Sequence, residues 1–352
     1  MKLTRDYLSN IFYGNNKYFN SSYVKSKSCP WNIFLSDRSD GKTFDCKIQA
    51  IIDFLIDDIA HIYLRRNDTE LSTIMKQSYF KKLIRKYPII DKWLDFKYDD
   101  IGVLAKKKEE DEEQYRYIVY FLALSMSGKL KSQIEDERIH YIDFDEYIPL
   151  DNRYLKNEMI YCCELYKTID RDRDIVQFSF FGNKITSFNP AFDFWNLKLE
   201  ITDAKVRYYN SNTVAVQIYH SKQLQEARNQ SKFQKSIENT NYNEYAQGGI
   251  LQQCDLITMS IKDADFYISF KSCKGEGSIW IKDSYYVIST KRYGQDVLIT
   301  DSTYNVNRPC IHCLAGNVSK IFKTAYRYNL IAYESERAFY IFEPILRKIN
   351  VN

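Results

Sequence analysis

GGILQQCDLITMSIKDADFYISFKS, residues 248–272, holds two runs in which apolar and polar residues alternate. Ile257, Met259 and Ile261 fall on one face of the first run, and Phe266, Ile268 and Phe270 on one face of the second. Period-two alternation is the pattern of a half-buried strand, so the stretch predicts two strands joined at the acidic turn Lys262-Asp263-Ala264-Asp265. Asp255 opens the first strand and Lys271 closes the second. Antiparallel pairing across the turn would bring those two ends together. A carboxylate facing an ammonium at the open end of a hairpin suits metal-dependent phosphodiester hydrolysis. The carboxylate holds a hard divalent cation, while the lysine orients water and stabilises charge building on phosphorus.

This order resembles the core of the PD-(D/E)xK, or restriction-endonuclease-like, nucleases. Ser269-Phe270-Lys271 stands where that family carries (Asp/Glu)-x-Lys, and Glu244 lies on the polar, helical segment before it. Downstream, 296–300 reads as a strand, 318–328 as a helix and 330–333 as a strand, in the family's order. The resemblance covers the last third of the chain. It implies a Mg2+-dependent endonuclease with Asp255, Lys271, Glu244 and Asp283 as catalytic residues and Asp255 and Glu244 as metal ligands. Ser269 departs from the family's second carboxylate, which leaves Glu276 or Asp283 to replace it, or catalysis lost. A role in defence or restriction follows by analogy of fold alone. Asp193 with Asp203-x-Lys205 gives a second match in poorer strand context, because Asp193 precedes Phe194-Trp195.

At 352 residues, with 45% hydrophobic and 27% charged residues, the chain is long enough for two domains with substantial cores. Thirty tyrosines suit a half-wet sheet or a surface that stacks bases, and a codon bias would give the same profile. The net charge of +4 is too small for a polybasic coat. Its placement is uneven: residues 1–190 carry 30 basic and 30 acidic side chains, and 191–352 carry 20 against 16. A polyanionic partner, DNA or RNA, would therefore meet the C-terminal half. Lys222, Arg228, Lys232 and Lys235 on the polar segment 221–243, with Lys274 and Arg292, are the candidate phosphate contacts. The longest apolar run, 117–126, is far below the roughly 20 residues that span a bilayer. No secretory signal opens the sequence and the eight cysteines are scattered, so a reduced cytoplasmic or nuclear protein is expected, not a secreted one.

Taken in order, residues 1–43 are polar and aromatic without a clear period. Ile48, Ile51, Ile52, Leu55, Ile59 and Ile62 form a stripe that predicts a helix over 44–66, with Asp53, Asp57 and His61 on its opposite, solvated face. That i, i+4 spacing could also hold a metal. A second helix is predicted over 69–87, stopped by Pro88, and a buried helix over 117–124 behind the charge block 106–113. Ile142-Asp-Phe-Asp-Glu146 invites comparison with nucleotidyltransferases, but an upstream Gly-Ser turn is missing, and an exposed acidic strand or loop is the reading kept. The segment 154–167 reads as a helix, and 197–209 with 213–220 as a hairpin. Cys310-Ile-His-Cys313 is half a zinc site, read as ordinary cysteines. Ser289-Thr290 with Glu334-Ser-Glu336 only distantly resembles ADP-ribosyltransferase elements. A last strand is placed at 339–342.

The expectation is an α+β protein. A mainly helical domain, 1–190, precedes a mixed α/β domain with a central sheet, 191–352, that is restriction-endonuclease-like. Three functions fit: an endonuclease, a catalytically inactive nucleic-acid-binding or assembly protein, and a structural interaction module. A homo-oligomer or a protein complex is the expected assembly.

Overall fold

Trp31–Ser36 forms a strand, β1, buried along almost its whole length, with Ile33 and Leu35 on one face and Phe34 on the other. A strand covered on both faces reads as a continuous apolar run, not an alternation. Eight further strands join it: β2 (Ala60–Arg65), β3 (Leu94–Tyr98), β4 (Gly102–Lys107), β5 (Arg116–Ala123), β6 (Ile139–Asp145), β7 (Gln177–Asn183), β8 (Val206–Tyr209) and β9 (Val214–Tyr219). Their order is β3-β4-β5-β2-β6-β7-β1-β9-β8, parallel from β5 to β9 and antiparallel at both margins. The computed structural model describes residues 3–14, 18–109, 114–126, 128, 134–149, 154–183, 189–197, 206–221, 223–224, 226, 230–237, 257–294, 297–301 and 309–349. The chain divides into two units, Met1–Leu251 and Gln252–Asn352.

The first unit is therefore not mainly helical, and the reason is the parallel sheet itself. Ile118-Val-Tyr-Phe-Leu122 lacks alternation because β5 is covered on both faces, and that pattern cannot be told from a buried helix by period. The stripe predicted to run over 44–66 stops early. The helix Lys42–Asp57 ends at Asp58, whose φ of 55° is left-handed, and the chain turns into β2. Ile62 thus continues the spacing by coincidence, on a strand. The predicted helix 69–87 is broken into Thr73–Gln77 and Lys81–Lys86. The expected helix over 154–167 is found at Glu158–Asp170. Of the hairpin expected at 197–209 and 213–220, Val206–Tyr209 pairs antiparallel with β9 while 198–205 lie outside the described residues, and β9 also pairs with β1, in the first sheet.

Helix Lys42–Asp57 lies on one face of this sheet in a cluster with Tyr63 and Phe121, and Cys162 and Leu165 of Glu158–Asp170 pack with Ile33, Ile62 and Phe144 on the other. Both units mix helix and sheet.

The second unit holds β10 (Ile257–Thr258), β11 (Asp265–Ser272), β12 (Gly275–Lys282), β13 (Tyr285–Ser289), β14 (Leu298–Thr300), β15 (Cys310–His312) and β16 (Ile331–Tyr333). The order is β10-β16-β13-β12-β11-β14-β15. The predicted hairpin across Lys262–Asp265 does not form. β10 pairs in parallel with β16, while β11 pairs with β12 and β14, so three strands separate the two runs. The expected strand at 339–342 is part of helix Glu336–Lys348. Ser335 caps it by accepting from the Ala338 amide, and Ala338, Ile341, Phe342, Ile345 and Leu346 form its buried stripe. Among the described residues no helix is long and apolar enough to cross a membrane.

Candidate active site

Between β1, which ends at Ser36, and helix Lys42–Asp57 lie Asp37-Arg-Ser-Asp-Gly41, and the helix opens with Lys42-Thr43. A strand, a tight loop and a helix opening on Gly-Lys-Thr is the context that gives G-x-x-x-x-G-K-[ST] its meaning as a phosphate-binding loop, here with Ser36 in place of the first glycine. Gly41 has φ 100°, a left-handed value that a side chain would strain. The helix it precedes is sixteen residues long, so its unpaired first-turn amides and dipole favour an anion at this point. Asp40 braces the loop from inside by accepting from the Asp37 amide at 3.2 Å, and His220 pairs with Asp37 at 2.8 Å.

Three strands deliver their last residues here: Ser36 of β1, Asp145 of β6 and Asn183 of β7. In parallel sheets ligands sit at such carboxyl ends. The Lys42 ammonium donates to Ser36 Oγ at 2.7 Å, Asn183 Oδ1 at 3.0 Å and the Asp37 carbonyl at 3.1 Å. Thr43 Oγ1 donates to Asp145 Oδ2 at 2.7 Å, and Tyr63 from β2 donates to the same oxygen at 2.8 Å. Glu146 follows with a left-handed φ of 55° and a largely exposed carboxylate, which Arg65 grips at 2.6 Å while also holding Glu70 at 2.9 Å. Lys42, Thr43, Asp145, Glu146 and Asn183 line a cavity of about 680 Å3, with Lys47 and Lys82. Burial pulls the Lys47 ammonium down to about 8. A lysine, a hydroxyl beside a carboxylate, a second carboxylate and an amide-rich helix start can together bind and cleave a nucleoside triphosphate.

Beneath the site runs a buried row. His61 Nδ1 lies 2.8 Å from Asp143 Oδ2 and its Nε2 3.0 Å from Asp53 Oδ2. Lys25 donates to Asp143 at 2.9 Å and Arg5 to Asp53 at 2.5 Å. Asp53, on the face predicted to be solvated, is thus buried while Asp57 is exposed, and His61 is buried on a strand and not on the helix. Burial alone would lower the His61 pKa, but its bonds to Asp143 and Asp53 raise it. Burial alone would raise both carboxylates, but Lys25 and His61 hold Asp143 below its ordinary value, and His61 and Arg5 do the same for Asp53. The histidine's contribution to stability is complete below its unfolded pKa and lost as pH rises through the folded one; the carboxylates' is complete above theirs and lost as pH falls. The whole row therefore stabilises most between about pH 4 and about pH 6.5. The melting-temperature gap between wild type and His61→Gln should be widest in that window and narrow above it. A gap that widens steadily towards pH 9 would show His61 neutral in the fold.

The residues expected to form a nuclease site are not brought together among the described residues. Asp255, Glu244, Lys222 and Arg228 lie outside those residues. Lys271 pairs with Glu276 at 2.7 Å, and Arg292 approaches Glu276 at 3.5 Å. These are half-exposed surface pairs of the kind worth little. Asp283 sits in the β12–β13 turn, at the other end of β12 from Glu276, so it cannot share a site with Lys271. Ser269 donates to the Tyr293 carbonyl, Lys274 pairs with Glu343 at 3.1 Å, and Lys232 and Lys235 are exposed on helix Lys232–Ile237. Among the described residues no group of three or more His, Cys, Asp or Glu side chains could hold a metal, so Cys310 and Cys313 are not part of a zinc site there. Asp193 lies on helix Pro190–Phe194, while Asp203 and Lys205 fall outside the described residues.

The sequence reading passed over Gly41-Lys42-Thr43 as part of an aperiodic polar stretch. The signal was present: an apolar run, Gly-Lys-Thr, then the clearest helical stripe in the chain. Of the exposed acidic strand or loop expected at 142–146, the strand is present, but Asp143 and Asp145 are buried on β6 and only Glu146, just past it, is exposed.

The family model for the Podovirus DNA encapsidation protein (Gp16) matches residues 14–336. The DNA packaging protein of Bacillus phage phi29 is 26% identical over 232 residues, 64% of each chain, so the match spans a little under two thirds of that relative. A solved structure described as the bacteriophage Phi-29 viral genome packaging motor assembly aligns with a TM-score of 0.68 and 19% identity, covering 95% of this chain and 100% of that one. The N-terminal domain of the DNA packaging ATPase from bacteriophage phi29 aligns with a TM-score of 0.50 and 22% identity over 58% of this chain and 97% of that one. The two structural likenesses establish the fold. Together with the family match they overturn the resemblance to PD-(D/E)xK nucleases, and with it the endonuclease, restriction and defence reading.

Proposed function

Since the chain belongs to the Podovirus DNA encapsidation protein (Gp16) family, we propose that it is a motor ATPase that hydrolyses ATP at Lys42, Thr43 and Asp145 to move DNA. The observation that carries this is the 2.7 Å bond from the Thr43 hydroxyl to Asp145, at the mouth of the loop that Lys42 crosses. DNA is its substrate for movement, and its assembly is a multi-protein motor.

A hydroxyl and a carboxylate side by side are hard oxygen donors, the set that Mg2+ prefers, so Thr43 and Asp145 fit that ion. When bound, Mg2+ would neutralise charge on the terminal phosphates. The chain's own groups do the rest. First-turn amides of helix Lys42–Asp57 receive phosphate oxygens, and the Lys42 ammonium, shared now among Ser36, Asp37 and Asn183, turns to the terminal phosphates. Tyr63 keeps Asp145 aimed at Thr43, and Arg65 sets the position of Glu146, the carboxylate placed to orient attacking water.

Asp145→Asn tests this reading. The change keeps the shape but removes the charge facing Thr43. Turnover of ATP, followed by phosphate release in Mg2+ and DNA, should fall about a hundredfold or more. Turnover within about threefold of wild type would sink the assignment.

A further inference from the structure

We infer that the buried row Lys25–Asp143–His61–Asp53 bolts the phosphate-binding helix to the strand carrying Asp145, making His61 a positioning residue for hydrolysis. This rests on the reading of the site as an ATPase. The helix is tied to β6 at two levels. At the upper level Thr43 meets Asp145 at 2.7 Å. At the lower, Asp53 meets His61 at 3.0 Å and His61 meets Asp143 at 2.8 Å. Thr43 and Asp53 are ten residues apart on the helix, about 15 Å along its axis. Asp143 and Asp145 are two apart on β6, and His61 and Tyr63 two apart on β2, so each pair projects to one sheet face.

The upper tie must change when a phosphate and its cation enter, because Thr43 and Asp145 are the groups that would receive them. The lower tie is buried away from solvent. His61, Asp53 and Asp143 are each at most 2% exposed, and the Tyr141 ring lies tilted against the imidazole, with centroids 4.8 Å apart. It can therefore hold the helix's tilt against β6 while the upper contacts are exchanged. An imidazole between two carboxylates must donate from both nitrogens; a neutral ring would point a lone pair at one of them. Lys25 and Arg5 complete the pairing from outside, so both carboxylates stay matched. A displacement of about 1 Å at reacting groups costs about a hundredfold in rate. A bolt of this kind acts on turnover and not on nucleotide affinity.

His61→Gln can donate at only one end of the row. Asp53→Asn still accepts from His61 but drops the charge, and serves as the milder variant should His61→Gln fail to fold. The full chain is assayed for kcat and KM with ATP, for binding of a fluorescent non-hydrolysable ATP analogue, and for cooperative melting. The expected result is a kcat lower by about tenfold to a hundredfold, with KM and analogue Kd within about threefold, in variants that still melt cooperatively. Two results would overturn the inference: unchanged kcat in folded variants, or binding and kcat falling together in step with the folded fraction. A wild type without ATP turnover would overturn the parent reading instead, which separates the two failures.

Discussion

Lys42→Ala should lower the kcat for ATP by about a thousandfold, because it removes a buried ammonium placed to follow charge onto the leaving phosphates. Lys42 is 8% exposed and donates to Ser36, Asp37 and Asn183, oxygens from the ends of two strands and the loop between. Truncation leaves the Ser36 hydroxyl and the Asn183 carbonyl without their charged donor, at a stability cost of about 1–3 kcal/mol. The loss of turnover should thus far exceed the loss of fold. Single-turnover phosphate release and a thermal melt on the same preparation separate the two. Lys42→Arg keeps the charge but replaces a compact point donor with a planar fork, and should rescue little. A Lys42→Ala protein with turnover within tenfold of wild type would show that the loop does not hold a reacting phosphate.

Glu158→Ala has the largest expected effect on stability. Arg66, one residue past β2, donates to Glu158 from Nε at 2.7 Å and from a terminal nitrogen at 2.9 Å, with both side chains at most 4% exposed. The same guanidinium donates to the Glu146 and Tyr147 carbonyls, so it ties the chain just after β6 to helix Glu158–Asp170. Removing the carboxylate leaves a buried, unpaired cation, which costs about 3–5 kcal/mol. For a unit of this size that lowers the melting temperature by about 10 °C. Turnover per folded molecule should fall as well, because Glu146 loses part of its backbone anchor. Glu158→Gln, which still accepts one bond, should lose about half as much stability. Equal melting of wild type and Glu158→Ala would mean Arg66 reaches solvent.

How far the sequence could be read follows from these same elements. The second unit's β11, β14 and β16 and helix Gly316–Arg327 were legible, because short alternating runs and a helical stripe are local signals. What was not legible there was the pairing. Two runs joined by the four residues Lys262–Asp265 suggested a hairpin, whereas β10 takes β16 as its partner from more than seventy residues downstream. In the first unit the parallel sheet erased the alternation that marks a strand, so β5 passed for a helix and β1 for an aperiodic stretch. The site suffered for the same reason. Gly41-Lys42-Thr43 means something only after a strand and before a helix, and the strand had not been recognised. Asp145 and Glu146 stood out as acids, but only folding puts Asp145 beside Thr43, 102 residues away. The charge excess at 191–352 carried no such information, since Lys271, Lys274 and Arg292 are each matched by a glutamate.

The measurement that bears most directly on the central claim is a structure of the full chain with a non-hydrolysable ATP analogue and Mg2+. The account predicts the triphosphate over the start of helix Lys42–Asp57. Lys42 should have left Ser36 and Asn183 for the terminal phosphates, and the metal should lie between Thr43 and Asp145. An analogue bound away from this loop, or Lys42 still held by Ser36 and Asn183 at saturating nucleotide, would contradict it.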